Sequence, residues 1–243
     1  NTDLRASGTV GVALGDEAGR PGHDDEGDRG ERHDEPPPRH RRFPGCRTAS
    51  GIIDVVARIA APTRFSARAV LLDAFGTLLL MPPPAARLRE LLAAEGHPHP
   101  EARVRAALAE EIRYYRAHHD RGRDRDSLRE LRRDCARVLA ACLGGAAPPP
   151  ERLAELLVAS LRFELAPDAP AALEALSGAG ARVGVVSNWD CSLPDVLRDL
   201  GVAGAVDAVV TSAVAGASKP DPAIFRAALD ELGVAPGEAI HCG

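Results

Sequence analysis

Helix-like and strand-like segments alternate through the last third of the chain, and this alternation restricts the possible folds more than any other feature of the sequence. From Pro167 onward the pattern predicts helices at 169–179, 193–200 and 222–232, and strands at 181–186, 208–211 and 239–242. Such alternation is typical of α/β proteins, in which helices cover both faces of a parallel sheet. Ligands of these sheets bind at the carboxyl ends of the strands.

A further apolar run, AVLLDAFGTLLL at 69–80, contains a single carboxylate, Asp73. A strand covered on both faces is almost continuously apolar, so an Asp at its end is either a cap for the next turn or a functional group. Gly76 permits a positive φ and the close approach of a ligand, but a plain strand-to-helix junction needs the same freedom. This stretch alone leaves both interpretations of Asp73 open.

Polar residues also follow the next two predicted strands. Ser187 and Asn188 come directly after 181–186, and Lys219 lies in the loop after 208–211. Because the carboxyl ends of parallel strands meet at one edge of a sheet, we expect these residues to lie near Asp73. Lys219 is the only lysine among 30 Lys and Arg residues. Because all the other residues of this set are arginine, the single lysine indicates that a compact ammonium is needed at position 219.

Residues 82–165 have a different pattern. The triple proline at 82–84 breaks the chain, and apolar residues then recur at helical spacing over 85–95, 101–119, 127–143 and 151–165. One face of each predicted helix is apolar and the other is rich in arginine. We expect a small bundle of four helices inserted after the first strand.

The segment at 1–65 is dense in Gly, Pro, Asp, Glu and Arg and has no lasting helical or strand period. Such composition cannot bury enough apolar surface to offset the entropy of ordering the chain. We expect a disordered, low-complexity tail. Its histidines, His23, His33 and His40, are too irregularly spaced to predict a metal site.

Composition excludes several classes of protein. A formal net charge of -5 argues against nucleic-acid binding, and no run approaches the ~18 apolar residues of a membrane span. The cysteines are odd in number and lack CxxC spacing, which indicates free thiols in a reducing, cytoplasmic compartment. They are Cys46, Cys135, Cys142, Cys191 and Cys242.

Three short motifs in this order resemble a known family. DAFGTL at Asp73, VVSN at Val185 and KPDP at Lys219 are similar to the first three motifs of the haloacid dehalogenase-like hydrolase superfamily. The predicted helical insertion resembles the cap of subfamily IA. The resemblance implies a Rossmann-like core at 66–81 and 166–243, with a four-helix cap domain at 82–165.

The resemblance also implies the catalytic residues. Asp73 would be the nucleophile of a covalent aspartyl intermediate that water resolves. Ser187 would donate a hydrogen bond to a phosphoryl or carboxyl oxygen of the substrate. Lys219 would hold the charges of nucleophile and substrate together.

The remaining site residues bind phosphate and metal in the same family. The backbone around Gly76, with Thr77 and Asn188, would complete a phosphate cradle, although the Thr77 hydroxyl could equally satisfy its own turn. In phosphoryl-transferring members Mg²⁺ is bound by the nucleophile, here Asp73, and by the backbone carbonyl two residues later, here that of Phe75. An acidic residue of a fourth motif completes that set.

The sequence departs from the family pattern in two ways. Phe75 stands where most family phosphatases have an aspartate general acid, and the haloacid dehalogenases also have an aromatic residue there. The chain ends at Gly243, where the fourth motif would begin, so we expect the last part of the core and its acidic residues to be missing.

Three functions are therefore compatible with the sequence. The first is a Mg²⁺-dependent phosphatase of a small phosphorylated metabolite, the second is a 2-haloacid dehalogenase, and the third is a catalytically weak binding module with the same fold. The sequence does not identify the substrate or the oligomeric state.

Overall fold

The computed structural model of the chain describes residues 67–145 and 147–243. The predicted tail at 1–65 lies outside these residues. The strands of the described part are β1 Ala69–Leu72, β2 Leu79–Leu80, β3 Glu164–Leu165, β4 Arg182–Ser187, β5 Ala208–Thr211 and β6 Ala239–Cys242. Its α-helices are α1 Ala85–Ala94, α2 Glu101–His118, α3 Arg125–Leu143, α4 Pro150–Ser160, α5 Ala169–Gly178, α6 Leu193–Asp199, α7 Ser212–Ala215 and α8 Pro222–Leu232.

A parallel four-stranded sheet in the order β5-β4-β1-β6 forms the base of the molecule. All four residues of β1 are buried, which explains its uninterrupted apolar sequence. Leu72 at the end of β1 lies opposite Val185 of β4 and Cys242 of β6. The ends of these strands thus meet at one edge, and the α/β fold predicted from the alternating pattern is confirmed.

The helical segment, residues 85–160, lies between β2 and β3 and has an apolar core of its own. That core is built from leucines of all four helices, among them Leu88, Leu108, Leu131 and Leu157. Two further apolar clusters cover the sheet, one formed with α5 and α6 and the other with α8. Whether the segment is a separate cap domain with the predicted boundaries stays a prediction.

The prediction of a fourth helix over 151–165 is wrong at its carboxyl end. The helix stops at Ser160, and Leu161 is already extended, with φ -76° and ψ 117°. Glu164 and Leu165 form β3, which pairs antiparallel with β2. Leu161, Phe163 and Leu165 alternate with Arg162 and Glu164, which is the period of a strand, and pairing with β2 satisfies the backbone groups of β3.

No α-helix of the described part is both long enough and apolar enough to cross a membrane. Cys135, Cys142 and Cys191 are free thiols, as predicted. Cys242 is disulfide-bonded, so the expectation of free thiols is wrong at that position.

Candidate active site

Asp73 follows β1 directly, and one of its carboxylate oxygens accepts three hydrogen bonds. Oδ1 receives the amide of Ala74 at 2.7 Å, the hydroxyl of Ser187 at 2.9 Å and the ammonium of Lys219 at 2.7 Å. Three sequence-predicted residues, Asp73, Ser187 and Lys219, are thereby brought together. Three donors on one oxygen fix the orientation of the carboxylate.

The second oxygen of the Asp73 carboxylate remains open. No residue of the described ranges donates a hydrogen bond to Oδ2. The side chain is 25% exposed, whereas that of Lys219 is 16% exposed. A carboxylate held through one oxygen and accessible at the other can act as a nucleophile without reorganisation.

Asn188 holds the backbone of Lys219 in a reciprocal pair of hydrogen bonds. Its Oδ1 accepts from the Lys219 amide at 2.7 Å, and its Nδ2 donates to the Lys219 carbonyl at 3.1 Å. The resemblance placed Asn188 in the pocket that binds substrate, and this role stays a prediction. In the structure, its amide group fixes the loop that carries the lysine.

Gly76 and Thr77 form the turn that follows Asp73. Gly76 has φ 86°, a conformation that side chains disfavour, and its amide donates to the Leu79 carbonyl at 2.8 Å. The Thr77 amide donates to the Ala74 carbonyl at 3.3 Å. The Gly76 amide, which the resemblance assigned to a phosphate cradle, is therefore used within the turn, as is the Thr77 amide, and contact of the Thr77 hydroxyl with substrate stays a prediction.

Unlike the amides of Gly76 and Thr77, the backbone groups of Phe75 are available to a ligand. Neither its amide nor its carbonyl enters a hydrogen bond with any residue in 67–145 or 147–243. The amide can therefore receive an anionic substrate oxygen, and the carbonyl is open to a cation. The resemblance assigned the carbonyl to the metal and the amides around Gly76 to phosphate, and nothing in the sequence distinguishes the Phe75 amide from that of Gly76.

A cluster of three aromatic rings, which the motifs did not predict, includes Phe75, two residues after Asp73. Trp189 packs against Phe75, with ring centroids 6.5 Å apart, and against Phe163 at 5.1 Å. Trp189 is almost buried, whereas Phe75 is 38% exposed. The ring of Phe75, two residues after Asp73, thus presents an exposed apolar surface. Trp189 directly follows Ser187 and Asn188, so its place in the sequence could have predicted that it lies near these residues.

The end of β6 also reaches the site. A Cβ added to Gly243 would lie 2.5 Å from Cβ of Asp73 and 3.5 Å from Oγ1 of Thr77. Desolvation of its ring and the Lys219 ammonium lower the pKa of His241 to about 4, and the Asp73 carboxylate acts in the opposite direction. His241 is therefore neutral near pH 7, and Lys219 remains the cation that faces Asp73.

Comparison with known proteins places this geometry in a family. A family model described as haloacid dehalogenase-like hydrolase matches residues 67–243. Haloacid dehalogenase-like hydrolase domain-containing protein 3 of Mus musculus is 36% identical over 96 residues, which cover 40% of this chain and 38% of that protein. Phosphoserine phosphatase of Thermus thermophilus is 36% identical over 115 residues, covering 44% of this chain and 45% of that enzyme.

The chain thus spans less than half the length of these curated relatives. Among solved structures, an L-2-haloacid dehalogenase aligns with a TM-score of 0.52 and 25% identity, over 72% of this chain and 75% of that one. The family model covers the sheet, the helical segment and all three motifs. The chain belongs to the haloacid dehalogenase-like hydrolase family.

Proposed function

We propose that the protein is a Mg²⁺-dependent phosphatase of a small phosphorylated metabolite and acts through a covalent intermediate on Asp73. The observation that carries the proposal is the asymmetric environment of the carboxylate, in which Oδ1 is held by three donors and Oδ2 is open. The phosphoserine phosphatase relative supports a phosphoryl substrate.

In the first step Oδ2 of Asp73 attacks phosphorus, and a new P–O bond forms as the bond to the leaving oxygen breaks. The leaving oxygen takes the electron pair and a proton from solvent. Lys219, Ser187 and the Phe75 amide would stabilise the charge that develops on the phosphoryl oxygens. Water then attacks phosphorus, releases phosphate and restores the carboxylate.

The donors next to Asp73 are compatible with magnesium. Mg²⁺ prefers hard oxygen ligands and often takes only one or two carboxylates, completing its shell with water and substrate phosphate. The Asp73 carboxylate and the open Phe75 carbonyl are such donors. When bound, the ion would offset the repulsion between two anions. The described residues contain no cluster of three or more His, Cys, Asp or Glu side chains that could hold a metal.

A second function, 2-haloacid dehalogenation, is favoured by Phe75. A phenyl ring cannot protonate a leaving group, and a halide needs no proton to depart. The solved L-2-haloacid dehalogenase supports this alternative. In that reaction Oδ2 of Asp73 would attack carbon, expel halide and form an ester that water hydrolyses.

Two assays separate these functions. The phosphatase should release p-nitrophenol from p-nitrophenyl phosphate with Mg²⁺ and lose that activity in EDTA, and Asp73→Asn should abolish the activity seen with Mg²⁺. Halide release from 2-chloropropionate that is insensitive to EDTA would instead establish the dehalogenase. Absence of both activities in a folded protein that includes the fourth motif would contradict a hydrolytic role for Asp73.

A further inference from the structure

Within the helical segment, the end of α2 and the turn that follows it contact the loop after β4. The Cys191 amide donates to the Gly122 carbonyl at 2.8 Å, and the Tyr115 hydroxyl donates to Asp190 Oδ2 at 2.8 Å. Gly122 is buried, and a Cβ added there would lie 2.9 Å from Cβ of Asp190. The two backbones therefore meet at closer range than any residue other than glycine permits at 122.

Asp120, in the same turn, binds the loop that carries the lysine at two points. Its Oδ1 accepts from the Ser212 hydroxyl at 2.6 Å, and its Oδ2 accepts from the Ser218 hydroxyl at 2.8 Å. Ser212 begins α7, and Ser218 directly precedes Lys219. One carboxylate thus restrains both ends of the stretch 212–218.

The restraint extends to the residue next to Asn188. The Ser212 hydroxyl, while donating to Asp120, accepts the amide of Trp189 at 3.2 Å and lies 3.1 Å from Nε2 of His119. Burial would raise the pKa of Asp120, but the hydrogen bonds from Ser212 and Ser218 and the neighbouring His119 hold it below its usual value. Its bonds to the hydroxyls are therefore charge-assisted near pH 7.

We propose that Asp120, a residue of the helical segment, is a positioning residue for Lys219. The Lys219 backbone is held on one side by Asn188 and, through Ser218, on the other side by Asp120. Without the carboxylate, both hydrogen bonds from the stretch 212–218 to Asp120 are lost, and with Ser218 released the ammonium no longer keeps a fixed position 2.7 Å from Asp73. The placement of the helical segment thereby controls the charge that faces the nucleophile.

Lys219 is the only lysine in the sequence, so lysine labelled with carbon-13 at Cε gives one side-chain NMR signal. We expect Asp120→Ala and Ser218→Ala to shift and broaden this signal, and Asp120→Asn, which keeps one acceptor oxygen, to change it less. The control is Asp126→Ala, because Asp126 is exposed and pairs with Arg129 within α3. An unchanged Lys219 signal in folded Asp120→Ala and Ser218→Ala would overturn the proposal.

The kinetic part of the test depends on the proposed function. Because a small misplacement of a catalytic group is costly, Asp120→Ala should lower kcat by about tenfold or more and change KM less. Adding Ser218→Ala to that variant should cost little more, since both changes remove the same restraint.

The possible failures are distinguishable. If the wild-type protein hydrolyses no phosphate ester, the proposed function fails, while the NMR signal still decides the role of Asp120. If Asp120→Ala does not fold by circular dichroism, Ser218→Ala, which removes one hydroxyl only, decides in its place. If hydrolysis is observed and Asp120→Ala leaves both kcat and the signal unchanged, the inference is wrong.

Discussion

The ion pair between Lys219 and Asp73 combines opposite charges, partial burial and hydrogen bonding in two side chains. The Lys219 side chain is 16% exposed, so its charge is screened less than that of a surface lysine. A compact ammonium reaches Oδ1 at 2.7 Å beside the Ser187 hydroxyl, and a planar guanidinium would compete with that hydroxyl for space. The solitary lysine in an arginine-rich chain thus has a structural reason.

Lys219→Arg should therefore lower kcat by about tenfold or more, although it conserves charge, because the ion-pair geometry changes. The matched control is Arg129→Lys, since Arg129 is exposed and pairs with Asp126 on the surface of α3. Steady-state hydrolysis of p-nitrophenyl phosphate measures both variants. If Lys219→Arg retained wild-type kinetics, the argument from ammonium geometry would be wrong.

Gly243 gives a second prediction at the scale of one residue. A methyl group there would lie 2.5 Å from Cβ of Asp73, so either the nucleophile or the end of β6 must move. We expect Gly243→Ala to reduce kcat more than tenfold. Gly237→Ala is the control, because a Cβ at Gly237 would meet nothing within 4 Å. Equal kinetics for the two variants would show that the end of β6 does not constrain Asp73.

At the scale of elements, β4 approaches α8 closely through Gly184. A Cβ at this position would lie 2.8 Å from Cδ2 of Leu71 and 3.1 Å from Cδ1 of Leu232. Both neighbours are buried, so neither side chain can move aside freely. The glycine in the apolar strand VGVV therefore allows the helix to pack against the sheet.

Gly184→Ala should lower the free energy of unfolding by about 1–3 kcal/mol, the usual cost of overpacking a core. Gly178→Ala, near the end of α5, should be neutral or stabilising by up to ~1 kcal/mol, because nothing lies within 4 Å of its Cβ position and alanine favours helix. Urea denaturation of both variants measures the difference. A Gly184→Ala protein as stable as wild type would contradict the packing argument.

Much of the element order could be predicted because buried parallel strands and amphipathic helices have distinct periods. The predicted ranges for β5, α8 and β6 agree with the structure at both ends. The end of α4 was predicted wrongly, although Leu161, Phe163 and Leu165 alternate with Arg162 and Glu164 in the period of a strand. The stretch is too short for this period to predict its partner, and the pairing of β3 with β2 is long-range.

The site was predicted in part for a related reason. Strand ends of a parallel sheet must converge, so Asp73, Ser187 and Lys219 could be grouped from topology alone. Which backbone amides remain open in the turn at Gly76 depends on the hydrogen bonds of that turn, which spacing does not specify. The contact of Asp120 with Ser218 joins residues 98 positions apart and left no local pattern.

At the scale of the whole molecule, the candidate site lies where the sheet and the helical segment are joined. Each part has its own apolar core, and polar contacts such as Tyr115 with Asp190 connect them. Polar contacts at a junction are more easily rearranged than a shared apolar core, which suits a surface that must admit a substrate. The proposed role of Asp120 follows from this arrangement.

Peptide mass spectrometry after rapid acid quench shows whether Asp73 forms a covalent bond to the substrate during turnover. The full chain is mixed with p-nitrophenyl phosphate and Mg²⁺, quenched during turnover and digested. We expect a phosphoryl group on the peptide that contains Asp73 in the wild-type protein and none in Asp73→Asn. Hydrolysis that proceeds with an unmodified Asp73 peptide, or with the phosphoryl group on another residue, would contradict this expectation.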